Sequence, residues 1–132
     1  SYETVLRINP RNLLSANNLA TLLADYKQDP PHLERAFLLS RDFEKEAPHP
    51  LFLDTVGWVR LKMGHREDAL RLIKEAINKA PDSPVLNYHF GTALYRTGKK
   101  HESKLYLGKA LKSAEIFQGR REAEQLLAQV SG

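Results

Sequence analysis

"LFLDTVGWVRLKMGHREDALRLIKEAINKAP", residues 51–81, sets a glycine beside a tryptophan within a stretch of helical periodicity. Glycine in a helix interior costs roughly 1 kcal/mol relative to alanine, so Gly57 calls for a compensating gain. A search for internal repetition locates it. Shifted by 34 residues, Gly57 meets Gly91 in "LNYHFGTALYRTGKKHESKLYLGKALKSAE", and Gly64 meets Gly98. Ala69 meets Ser103, Ile73 meets Leu107, Ala76 meets Ala110 and Pro50 meets Pro84. Small residues at matched places in two helices predict a close helix–helix approach, in which any larger side chain would push the pair apart. Gly64 and Gly98 fall where a helix ends on a glycine of positive φ. The period therefore encodes helix, tight turn, helix, repeated.

Bulk properties agree with a folded domain. The chain has 132 residues, 42% of them hydrophobic, which is enough for a core and too much for intrinsic disorder. It has no cysteine, which excludes disulfides, thiolate metal sites and a cysteine nucleophile, and suits the cytosol and the periplasm alike. No apolar run approaches the ~18 residues of a membrane span, and no leader-like pattern opens the chain. The net charge of +4 is mildly basic and by itself decides nothing about partners.

The spacing and the residues resemble the tetratricopeptide repeat (TPR), a helix–turn–helix unit of 34 residues. Counted from Pro50, the chain supplies Leu53, Val56-Gly57, Gly64, Ala69, Ile73, Ala76 and Pro81. Counted from Pro84, it supplies Phe90-Gly91, Leu94, Gly98, Ser103, Leu107 and Ala110. Arg60 departs from the usual tyrosine, Arg66 and Lys100 from the turn aromatic, and Glu115 from the closing proline. The resemblance implies an all-α fold: a right-handed α-solenoid of antiparallel helix pairs with a C-terminal capping helix.

Three further segments fit the scheme with changes. "LLSANNLATLLADY" and "ERAFLLSRDFEKEAP" read as an earlier, distorted repeat over residues 11–49, its turn lengthened by "KQDPPH". Asp29-Pro30 there predicts the start of a second helix, an N-cap acceptor followed by proline in the first turn. Phe43 stands where the other copies carry Ala76 and Ala110, which predicts a local splay or shift of the helices. "YETVLRINPRN" reads as the last helix of a truncated preceding repeat over residues 1–10, so the chain is expected to be a piece of a longer solenoid. The second repeat then covers 50–83 and the third 84–117. "GRREAEQLLAQV" puts Ala123, Leu126, Leu127 and Val130 on one face, as in a capping helix over 118–132. The expected count is eight helices: one orphan, three pairs and a cap.

Function in such an array belongs to its surfaces, chiefly the concave groove lined by the first helix of each pair. Carried over position by position, the resemblance gives partner-binding candidates Asn17, Thr21, Asp54, Trp58, Lys62, Tyr88, Thr92, Tyr95 and Arg96. If Gly57 faces its partner helix, Trp58 is rotated by about 100° toward the groove. There it either anchors a partner's apolar side chain together with Tyr88 and Tyr95, or packs on those tyrosines and Leu61 and fills a shallow groove. Tyr95 has a further alternative, lying against the cap helix. A chaperone-type carboxylate clamp is not expected, because its lysine positions hold Leu14, Asp54 and Val85.

Catalytic and metal chemistry find no footing in the pattern. The histidines at 32, 49, 65, 89 and 101 never recur at the i, i+3 or i+4 spacing that puts two ligands on one helix face. His89, beside Tyr88, reads as structural or as part of the groove rim. No glycine-rich phosphate loop and no nucleophile–base set stand out, so neither enzyme activity nor a cofactor nor a metal is expected. The stretch 96–121 carries eight Lys/Arg against two acids, which reads as a solvated outer face or as a docking patch for an anionic polymer. Without interleaved aromatics it does not suggest nucleic-acid binding. The expected function is a non-catalytic scaffold holding a protein or peptide partner. Self-assembly into homo-oligomers and electrostatic docking are the alternatives. Residues 50–130 are also loosely similar to bacterial TPR proteins of envelope polysaccharide or secretion systems, which implies a bacterial assembly factor.

Overall fold

The computed structural model describes residues 10–26, 29–43 and 49–132, the side chains of 10–13 excepted. Seven helices are described: α1 (Pro10–Tyr26), α2 (Pro30–Ser40), α3 (Pro50–Lys62), α4 (Arg66–Lys79), α5 (Pro84–Arg96), α6 (Lys100–Lys112) and α7 (Arg120–Ser131). No strand occurs among the described residues. The expected orphan helix over 1–10 lies outside them apart from Pro10, which opens α1.

Sequence chemistry sets the helix ends. α1, α2, α3 and α5 each begin at a proline, whose fixed φ suits the first turn and whose missing N–H has no partner to lose there. Ser83 Oγ accepts the Leu86 N–H at 3.3 Å, and His49 Nδ1 accepts the Leu51 N–H at 3.2 Å. α3 and α5 end alike. Gly64 and Gly98 have φ of +91° and +85°, and both close a Schellman motif. His65 N–H bonds Arg60 O and Lys99 N–H bonds Leu94 O, each at 2.8 Å. Asp29 precedes α2 as expected, yet its carboxylate does not cap the helix. It faces His32 Nδ1 at 2.6 and 2.8 Å, because an imidazole three residues on competes for it. That contact holds the exposed Asp29 carboxyl below its ordinary range.

Packing is helical-repeat-like. Each helix from α1 to α7 is adjacent to a neighbour in sequence, and α1, α3, α5 and α7 also touch in succession to form a row. Close approach between α3 and α4 depends on Gly57: a Cβ there would stand 2.6 Å from Ile73 Cγ1 and 3.3 Å from Ala69 O. Gly91 does the same between α5 and α6, where a Cβ would lie 2.8 Å from Leu107 Cγ. Ser103, matched to Ala69, uses its hydroxyl to bond Gly91 O at 2.6 Å. Around these contacts Leu53, Val56, Leu61, Leu72, Ile73, Leu94 and Leu107 are fully buried, each stabilising the fold by about 1.5–3 kcal/mol.

The second helix of the first pair is the shorter one, 11 residues in α2 against 14 in α4 and 13 in α6. α2 stops at Ser40, whose hydroxyl turns back to Ala36 O at 2.8 Å. Phe43 is buried edge-on against Phe52 with centroids 5.2 Å apart. Residues 44–48, including Pro48, lie outside the described residues.

Candidate functional site

One side of the row α1–α3–α5–α7 gathers the partner-binding candidates, and polar bonds between residues about one repeat apart join its helices. Thr21 Oγ1 lies 3.4 Å from Thr55 Oγ1, and Trp58 Nε1 donates to Asp25 Oδ1 at 2.7 Å. His89 Nδ1 lies 2.8 Å from both carboxylate oxygens of Asp54. Arg96 Nη1 donates to Leu61 O at 3.4 Å, and Gln129 Nε2 to Tyr95 Oη at 3.2 Å. These links fix the helices side by side and absorb many of the polar groups on that face.

Burial divides the nine candidates. Asn17, Asp54, Trp58, Tyr88 and Thr92 are buried, whereas Thr21, Lys62, Tyr95 and Arg96 are partly exposed. Trp58 is 1% exposed. Its indole stacks on His89, packs against Tyr88 at 5.5 Å and carries the Lys62 ammonium 4.5 Å above its ring. The packed reading of Trp58 therefore describes its surroundings, with the partners His89 and Tyr88. Tyr95 lies against α7 through Gln129. Thr92 spends its hydroxyl on Tyr88 O at 2.9 Å. Asn17 Oδ1 is buried and has no hydrogen-bond partner among the described residues.

The cover comes from the chain's own C-terminal segment. Residues 113–119 lead from α6 to α7 across this side, where Gln118 Nε2 donates to Asp25 Oδ2 at 2.7 Å. Phe117 packs near Tyr88 at 6.3 Å, and Gly119, in the left-handed region at φ +95°, lies directly on the Tyr88 ring. Ala123 is buried beneath α7, with Leu126, Leu127 and Val130 packed against the core. Sequence reasoning did not assign Gln118, Gly119, Glu122, Gln125 or Gln129 to the site. The available signal was the Gln-Gly pair before α7, a turn mark that says nothing of the path taken.

A furrow remains between the row and this cover. A cleft of about 410 Å³ is lined by Asn17, Asn18, Thr21, Leu22, Leu51 and Gln118. Gln118 also borders a small cavity of about 90 Å³ with Asp25, Lys62, Tyr88 and Glu122. Lys62, Tyr88 and Glu122 continue into a cleft of about 330 Å³ reaching Tyr95, Arg96 and Gln129. Shared lining residues thus string three hollows from α1 to α7. Leu22 and Leu51 stand 49% and 44% exposed at the α1 end.

Electrostatics differ along the furrow. Burial, reinforced by the neighbouring Arg96, holds the Lys62 ammonium below the usual lysine range, against the pull of Asp25 and Glu122. Burial likewise lowers Arg96, where Tyr88 opposes the shift and Arg66 adds to it. Burial pushes the Tyr88 phenol well above the usual tyrosine range, with Glu122 and Asp25 adding to the shift. Among the described residues no group of three His, Asp or Glu side chains is placed to hold a metal ion. No helix there is long and apolar enough to cross a membrane. No protein-family model matches the chain, and no curated protein matches its sequence.

Proposed function

We propose that the chain is a tetratricopeptide-type right-handed α-solenoid of antiparallel helix pairs, with α7 as its cap. It serves as a non-catalytic scaffold that holds a segment of a partner protein along the furrow. The architectural half is supported by matched glycines: Gly57 and Gly91 at helix crossings, Gly64 and Gly98 at left-handed helix ends. The functional half is carried by one observation, the line of three hollows joined through Gln118 and then through Lys62, Tyr88 and Glu122. Successive hollows, with exposed leucines at one end and amide, hydroxyl and cationic groups along them, suit contacts with an extended peptide.

Peptide display against the immobilised full chain tests this reading. Selected ligands should lose about tenfold in affinity, the effect of one ~1.4 kcal/mol contact, on Asn18→Lys or Tyr95→Ala. Far-UV circular dichroism should stay unchanged in both variants. Ligands indifferent to both substitutions would place binding elsewhere and end the proposal.

A further inference from the structure

Lys62 and Arg96 occupy the last turns of α3 and α5, 34 residues apart, and line one cleft of about 330 Å³. Helix C-termini favour cations, which accounts for a basic residue in each turn. It does not account for drawing both side chains partly out of water into the same hollow, where they repel each other. None of the ion pairs among the described residues includes either one. Lys62 rests on the Trp58 ring, and Arg96 reaches the Leu61 carbonyl at 3.4 Å. Glu122 borders the cleft from α7 without coming within ion-pair distance of either cation.

We propose that Lys62 and Arg96 form a seat for the carboxylate of an aspartate or glutamate side chain in the partner segment. This rests on the reading that the furrow holds such a segment and names its chemistry at one position. A carboxylate between the two cations relieves their repulsion, and partial exclusion of water strengthens both contacts. Gln125 and Gln129, one helical turn apart on α7, border the same cleft and offer amides to the peptide backbone on either side of the acid. Arg96 supplies the planar fork that fits a carboxylate, and Lys62 a point charge. The cleft between α5 and α7 is a local hollow, unlike the long basic stripe that a nucleic-acid backbone requires.

Two heptapeptide libraries, identical except for a central Glu or Gln, are captured on the immobilised full chain at low salt. Capture of the Glu library is expected to exceed that of the Gln library about tenfold, a single charge-assisted contact, and to fall as salt rises. Lys62→Gln and Arg96→Gln should each abolish the preference. Glu122→Gln should increase it by removing a competing carboxylate, and Arg96→Lys should retain part of it. Trp58 is the chain's only tryptophan and lies under Lys62, so bound Glu peptides should also shift its emission. Equal capture of both libraries, no capture of either, or a preference surviving in Arg96→Gln overturns the carboxylate seat. Inorganic phosphate displacing the Glu library at concentrations as low as a free Glu heptapeptide would show a bare anion site and also overturns it. If Lys62→Gln loses its helical signal, Arg96→Gln and Glu122→Gln decide alone. The furrow reading fails separately, when display ligands ignore Asn18→Lys and Tyr95→Ala.

Discussion

The imidazole of His89 lies face to face with the indole of Trp58, ring centroids 3.7 Å apart and planes 12° from parallel. Asp54, one helical turn before Trp58 on α3, meets the same imidazole at its edge, 2.8 Å from Nδ1. Two residues of α3 thus grip one residue of α5, and all three are buried. His89→Phe keeps a ring for the stack but leaves Asp54 buried without its hydrogen-bond partner, a loss of about 1–3 kcal/mol. Asp54→Asn keeps an acceptor for an imidazole N–H and should cost about 1 kcal/mol. Urea unfolding followed by Trp58 fluorescence ranks the two. An Asp54→Asn variant less stable than His89→Phe would show that the unpartnered Asp54 carboxyl is not the costly element.

Gly57 and Gly64 are glycines for different reasons, and alanine separates them. At Gly57 the added methyl would press on Ile73 Cγ1 and approach Ala69 O. Overpacking of about 1–3 kcal/mol should outweigh the roughly 1 kcal/mol gained in helix propensity, so Gly57→Ala destabilises. At Gly64 nothing lies within 4 Å of the added methyl, and the penalty is the backbone at φ +91°, roughly 1–2 kcal/mol. Truncating Ile73 to alanine removes Cγ1, the nearest obstacle, so it should reduce the loss in Gly57→Ala and leave that in Gly64→Ala unchanged. Thermal unfolding of the parent, the three single variants and the two double variants reads this directly. Equal response of both glycine variants to Ile73→Ala would refute the distinction.

Much of this architecture could be read from the amino acids, because its constraints are local or periodic. A glycine needed at φ +85° announces itself in Gly98 whatever lies nearby, and the close approach at Gly91 follows from the small residues it is matched with. The start of α2 at Pro30 and the buried face of α7 through Ala123 are of the same kind. The cover over the candidate site is not. Periodicity states which face of α3 carries Trp58, but not that residues 113–119 would cross that face and set Gln118 on Asp25, 93 positions away. His89 illustrates the same limit. Its neighbour Tyr88 marks the groove side, yet the buried contact with Asp54 depends on the rotation between α3 and α5.

Tyr88 gives the fold a weakness at alkaline pH. Burial first, then the carboxylates of Glu122 and Asp25, raise its phenol above the ordinary value near 10. A raised folded value means that the unfolded chain loses the proton first. The stability is intact below pH ~10 and is lost as pH rises through the interval above it. Lys62 acts with the opposite sign. Its lowered ammonium leaves the unfolded chain holding more protons, so its contribution grows with pH up to the ordinary lysine value. Comparing the parent with Tyr88→Phe isolates the phenol. The parent should lose stability relative to the variant above pH ~10, and its phenolate absorbance should show one tyrosine titrating last or with unfolding. Parallel stability curves for the two proteins between pH 9 and 11 would contradict the sign.

Gly119 holds the C-terminal cover in place. It combines a left-handed backbone at φ +95° with a position on the Tyr88 ring that admits no Cβ. Gly119→Ala meets both obstacles, about 1–2 kcal/mol for the backbone and a further 1–3 kcal/mol for the overlap. The relief lies in lifting residues 113–119 off Tyr88, which breaks the Gln118–Asp25 hydrogen bond. α7 buries only Ala123 fully and packs through partly buried Leu126, Leu127 and Val130, so it should open before the α3–α4 core does. Amide exchange in α7 should accelerate at least tenfold in Gly119→Ala, while exchange in α3 and α4 stays slow. Gln118→Ala, which removes the hydrogen bond without touching the backbone, should produce a smaller acceleration in the same helix. Unchanged protection of α7 in Gly119→Ala would mean that the Tyr88 ring yields instead. The wall of the furrow would then be held by α7 packing alone.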